Sequence, residues 1–148
     1  MSNQRDTASD AFDYVTQLHR AVHAAGLFID EKFGDAVTQP EALILLLLLR
    51  QPQSTINDVH RAFLHRRSTL TSVVDRLVKK RLLSRDVSQE DRRAVRLALT
   101  AQGARLARAI AQAFEERLGD LGSRPQRATA TLARTADAFW NGSSASRD

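Results

Sequence analysis

The chain has 148 residues, no cysteine and a formal net charge of +5. That length suits one domain with a sizeable core, and the missing cysteines exclude disulfide frameworks, thiolate metal sites and thiol-based redox sensing. The opening "MSNQRDTASD" contains no apolar segment and does not read as a secretory signal, so a cytoplasmic protein is expected.

From Ser9 to Phe33 the apolar residues Phe12, Val15, Leu18, Val22, Ala25, Ile29 and Phe33 recur at three- and four-residue steps, which predicts a long amphipathic helix stopped at Gly34. Thr38 and Glu41 in "TQPE" have capping-box spacing, with Pro40 in the first turn, so a second helix is predicted to about Arg50. Its "LILLLLL", Leu43 to Leu49, falls well short of the roughly 20 apolar residues that cross a bilayer, and it reads as a buried helix with no membrane partner. Ser54 or Thr55 caps a short third helix through Ile56, Val59 and Phe63, and a fourth follows within a few residues.

On that fourth helix a wheel of 100° per residue gathers Leu70, Val73, Val74 and Leu77 inward. Ser68, Ser72, Asp75 and Lys79 point outward, with Thr69, Thr71 and Arg76 on the shoulders. Leu82 to Val87 and Ala94 to Leu99 are the candidate strands of a hairpin, joined by the polar "SQEDRR" without the Asn-Gly or Asp-Gly of a tight turn. Thr100 caps a long helix in which Leu106, Ile110, Phe114, Leu118 and Leu121 form a stripe. Ser123 and Pro125 open a last helix bearing Leu132, Ala136, Phe139 and Trp140, and "NGSSASRD" reads as a tail. The order is four helices, a two-stranded hairpin and two helices: a mainly α fold with a small β wing.

Charge is uneven along this order. Arg61 to Arg105 holds twelve basic and four acidic residues, a net of +8, which leaves the remainder at −3. A basic middle in a mildly acidic body fits a polyanion-binding module. Two closely spaced helices ahead of a basic hairpin suggest a helix-turn-helix. Hydroxyls with Arg76 and Lys79 on an exposed helical face suit a major groove, and arginines on a protruding tip suit the narrow minor groove beside it. An ordinary solvated face, and salt bridges from Arg92 and Arg93 to Glu90 or Asp91, are the plainer readings of the same residues.

The pieces Ser68-Thr69-Leu70-Thr71, Val74-Asp75-Arg76-Leu77, Asp91-Arg92-Arg93 and Leu99-Thr100-Ala101-Gln102-Gly103 stand in the order seen in the MarR family of winged-helix transcription factors, which Ser54 to Gly103 resembles. The resemblance implies a winged helix-turn-helix domain over 54–100. Dimerisation regions are implied at 9–50 and 101–141, with 1–8 and 142–148 as flexible tails. It implies a homodimer on double-stranded DNA, in which the apolar stripes with Phe114, Leu118, Phe139 and Trp140 are covered by the partner. The DNA contacts that the resemblance implies are Ser68, Thr69, Thr71, Ser72 and Arg76 on the recognition helix and Asp91 and Arg93 on the wing; the basic residues Arg66, Arg67, Lys79 and Arg92 are further DNA-contact candidates.

This chain departs from the family pattern in three places. Arg66 stands where many members carry an acid, Ser72 where they carry an arginine, and Arg81 in place of the usual glycine. The ion pair between wing and recognition helix built on that acid cannot form in the same way, and the helix exit at Arg81 needs a strained or re-routed backbone.

The resemblance further implies a small phenolic or carboxylate effector, for which Tyr14, His19 and Arg20 are candidates. His19 and His23 share a helical face, but two histidines without a third ligand do not make a metal site, and no metal is expected. No G-x-S-x-G, no H-E-x-x-H and no phosphate-cradling glycine loop occurs, so neither an enzyme nor a cofactor is expected. The expectation is a repressor on a pseudo-palindromic operator, released by an effector. The alternative is a ligand-independent architectural or anti-repressor DNA-binding protein, and a third reading is a protein-interaction module that has lost DNA binding.

Overall fold

Thr55 begins the part of the chain that matters most for function. Its hydroxyl accepts the Asp58 amide at 3.3 Å while its own amide and hydroxyl both donate to the Asp58 carboxylate at 2.7 Å, a reciprocal cap that starts a helix there. Ser54, the other capping candidate, instead donates its hydroxyl to the Gln51 carbonyl at 2.7 Å. The computed structural model describes residues 3–64, 66–87, 95–119 and 124–144, with the side chains at 3–8, 67, 87, 124, 126, 127 and 141–144 left aside.

The elements are α1 (Asn3–Phe33), α2 (Gln39–Arg50), α3 (Ile56–Phe63), α4 (Arg67–Lys79), β1 (Leu83–Val87), β2 (Val95–Leu99), α5 (Ala101–Leu118) and α6 (Arg124–Ser144). Their order is the expected one, with a single antiparallel sheet of β1 and β2 among the described residues, so the fold is mainly α with a small wing. Helical backbone reaches further at both ends than the sequence pattern indicated. α1 begins at Asn3 and α6 reaches Ser144, taking in part of each expected tail. Neither stretch contains proline, and Gly142 costs a helix only about 1 kcal/mol.

Two units divide the chain, Met1–Leu43 and Ile44–Asp148. In the first, Ile29, Val37 and Ala42 are buried, and Glu41 is buried with its carboxylate accepting the Thr38 amide at 2.8 Å. The second unit has its core in Ile44, Leu45 and Leu48 of α2, Val59 of α3, the inner face of α4, Leu82 and Leu83, Leu97, and Ala107 and Ile110 of α5. Here α3 packs on α4 and β2, α4 on β1, and α5 on β2. His60 of α3 also meets Trp140 of α6 edge-on, with ring centroids 6.4 Å apart.

The face of α5 buried within the chain is not its large-residue stripe, which the resemblance gives to a partner. Gly103, Ala107, Ile110 and Ala113 are buried, whereas Leu106 and Phe114 are half-buried and Leu118 is exposed. Close approach causes the difference: a Cβ on Gly103 would lie 1.9 Å from the Leu82 carbonyl oxygen, so only small residues fit at this end of the helix. Leu121 and Ser123 lie outside the described residues. On α6, Leu132, Ala136, Phe139 and Trp140 are all exposed in the single chain.

Candidate nucleic-acid interface

The connection between α3 and α4 is tight. α3 ends at Leu64, which takes a left-handed φ of 54° and donates its amide to the His60 carbonyl at 2.9 Å. This is a conformation that glycine adopts most easily, and here leucine supplies the turn. α4 then starts at Arg67 with Arg66 as its N-cap and no side-chain capping bond.

The amphipathic division of α4 is complete. Leu70, Val73, Val74 and Leu77 are buried, while Ser68, Thr69, Thr71, Ser72, Asp75, Arg76 and Lys79 are exposed together with Arg66. On the exposed face the Arg76 guanidinium donates to the Ser72 hydroxyl one turn earlier at 3.1 Å, which holds a cation beside a hydroxyl. Arg67 lies in the first turn, with its side chain outside the described set.

At the far end of α4 the Arg81 amide donates to Val78 and the Leu82 amide to the Leu77 carbonyl, both at 2.9 Å, and Arg81 has φ 59°. This is the helix-terminating pattern that glycine usually closes, so the backbone keeps the ordinary route and the arginine bears the strain. Thr100 closes the joint. Its hydroxyl donates to the Arg81 carbonyl at 2.8 Å, its amide donates to the Leu82 carbonyl at 3.1 Å, and the same hydroxyl accepts the Gly103 amide at 3.0 Å to cap α5.

In the wing, Leu83 pairs with Leu99, Arg85 with Leu97 and Val87 with Val95. β2 is also stitched on its other side. The Leu97 amide donates to the Ser54 carbonyl at 2.9 Å, Thr55 bridges Arg96, and the Arg96 guanidinium reaches the Gln53 side chain at 3.3 Å. α4 and the hairpin are tied by a pair that sequence reading did not find: Arg85 of β1 donates to the Asp75 carboxylate of α4. A link between hairpin and α4 thus exists without an acid at position 66. Its signal was the cation at an inward-facing strand position opposite Leu97. Asp91, Arg92 and Arg93 fall outside the described residues.

The candidate effector residues are not gathered. Tyr14, His19 and Arg20 are exposed on α1, and their spacings direct them more than about 100° apart around the helix. The His19 and His23 rings do share a face, parallel with centroids 6.1 Å apart. Among the described residues no group of three or more histidine or acidic side chains could hold a metal ion.

The sequence profile of the MarR family matches residues 37–94, the span from the start of α2 through the helix-turn-helix and into the wing. This segment is similar to the MarR family. No curated relative matches the sequence. Among solved structures the fold recurs over nearly the whole chain. AbfR of Staphylococcus epidermidis is similar with a TM-score of 0.79 at 19% identity, over 93% of this chain and 98% of that one. The S. aureus MepR–DNA complex is similar with a TM-score of 0.67 at 22% identity, over 87% and 96%. AbfR bound to DNA in its overoxidized form gives a TM-score of 0.72 at 20% identity, over 92% and 98%.

Proposed function

We propose that this protein is a transcription regulator that binds double-stranded DNA as a homodimer, most simply a repressor released by a small phenolic or carboxylate effector. The observation that carries this reading is the outer face of α4. Ser68, Thr69, Thr71, Ser72, Arg76 and Lys79 are exposed there while the opposite face is buried, in the most basic part of the chain. Hydroxyls and guanidinium groups at that spacing suit base edges and phosphates of a major groove. Arg66 and Arg67 at the start of the helix, and Asp91, Arg92 and Arg93 on the wing, are assigned to flanking phosphates and the minor groove. MepR and AbfR, which share the fold, are seen with DNA.

In this reading residues 54–100 form the DNA-binding domain, and 9–50 and 101–141 the dimerisation regions. Phe12, Val15 and Val22 support the latter: they are exposed and lie within roughly 80° of the α1 circumference. Leu132, Phe139 and Trp140 do the same on α6. Contiguous apolar surface of this kind marks an interaction site.

Binding to the DNA flanking the protein's own gene, against a scrambled duplex across a salt series, tests the assignment. Preference for the native duplex is expected, with log K falling by roughly 0.9 per phosphate contact per log unit of salt. Arg93→Ala is expected to weaken that binding with an unchanged melting temperature. Equal binding of both duplexes would reject a sequence-specific regulator.

A further inference from the structure

Asp75 is the only acid on α4, and it sits on the exposed face between Ser72 and Lys79. A bare carboxylate there would repel every duplex alike. Instead it holds the guanidinium of Arg85 on β1. Arg85 stands opposite Leu97 in the ladder, so its side chain leaves the sheet on the same face as that buried leucine, toward α4. The two side chains remain 54% and 38% exposed, a setting in which an ion pair adds little to stability. It does join the two elements that would enter adjacent grooves.

We propose that Asp75 is a positioning residue for DNA sequence discrimination. By holding Arg85 it fixes the angle between α4 and the β1–β2 hairpin, so that helix and wing meet one duplex in a single register. The inference rests on the DNA-binding reading above and assigns to this pair selectivity between sequences, not affinity for DNA in general. Breaking the pair lets helix and wing engage separately, which relaxes the requirement that both sites match.

The pair has a signature that neither a simple brace nor a simple repulsive charge shares. Asp75→Asn removes a negative charge from the DNA-facing surface and raises affinity for any duplex. Arg85→Met removes a cation and leaves the acid uncompensated, which lowers it. Both variants break the same contact, so both lower the ratio of specific to non-specific binding.

The test uses the full-length protein. Duplexes selected by the wild type from a random pool are compared with a shuffled duplex of the same composition at fixed salt, and thermal melting is followed in parallel. The expected result is a loss of up to about fivefold in the binding ratio for both variants, the most that an exposed ion pair can transmit. Affinities for the shuffled duplex should move in opposite directions, with melting unchanged. The double variant Asp75→Arg with Arg85→Asp should regain the ratio. An unchanged ratio in either single variant overturns the proposal, as does a matching fall in melting temperature and in binding to both duplexes, which would mark a brace. A wild type that selects no sequence rejects the regulator reading itself, before any variant is made.

Discussion

Arg81 and Gly103 lie on either side of one joint and make opposite demands. Arg81 holds φ at 59° at the end of α4, where a side chain costs roughly 1 kcal/mol relative to glycine. Arg81→Gly is therefore expected to stabilise the fold by up to about 1 kcal/mol in chemical denaturation, while weakening DNA binding through loss of a cation beside the recognition helix. Gly103 has the Leu82 carbonyl where its Cβ would be. Gly103→Ala should destabilise by about 1–3 kcal/mol, the range for forced overpacking, and a neutral result would show that α5 can move away from the Leu82 backbone without penalty.

Asp58 supplies a pH dependence of known sign. The Thr55 hydroxyl, first, and then the Thr55 amide hold its carboxyl below the usual carboxylate value. A depressed folded value means that the ionised cap contributes fully above about pH 4, the unfolded range, and that this contribution is lost as pH falls through the lower folded value. Melting curves from pH 6 downward should show Asp58→Asn less stable than the wild type near neutrality, with the gap closing in acid. A constant gap would mean that the bond to Thr55 does not depend on charge.

At the scale of elements, α4 was fully legible in the sequence because one periodicity acts on one helix. Leu70, Val73, Val74 and Leu77 recur at the step that buries a single face, and each is buried. On α5 the apolar stripe and the face buried within the chain differ. Its strongest periodic signal is Leu106, Ile110, Phe114 and Leu118, but burial within the chain follows Gly103, Ala107, Ile110 and Ala113, because the contact with the Leu82 backbone selects for small size over hydrophobicity. Periodicity reports how apolar a face is and is silent on how close its neighbour lies. The Asp75–Arg85 tie was hidden for a related reason: alternation puts Arg85 on the inner face, but which helix side chain meets it depends on the packing of α4 against β1. The family pieces revealed a winged helix, and the changed residues at 66, 72 and 81 kept them from revealing which side chains join its parts.

At the scale of the whole molecule, exposed Phe12 at 70% and Phe139 at 65% set the strongest expectation. Aromatic rings of that size seldom face water in rows unless another surface covers them. Sedimentation at micromolar concentration is expected to give a two-chain mass for the wild type. The double variant Phe12→Asp with Phe139→Asp should shift toward one chain, with far-UV dichroism retained. A wild type of single-chain mass would remove the two-fold operator from the proposed function, since paired half-sites mirror paired subunits.

Trp140 gives the molecule an optical property of its own. It is the single tryptophan of the chain, and its indole meets His60 on the first helix of the helix-turn-helix. Fluorescence thus originates at a place where α6 touches α3, and any event that parts the two rings changes the surroundings of the indole and with them its emission. Movement between α6 and α3 is consequently visible as a change in the emission of the unlabelled protein.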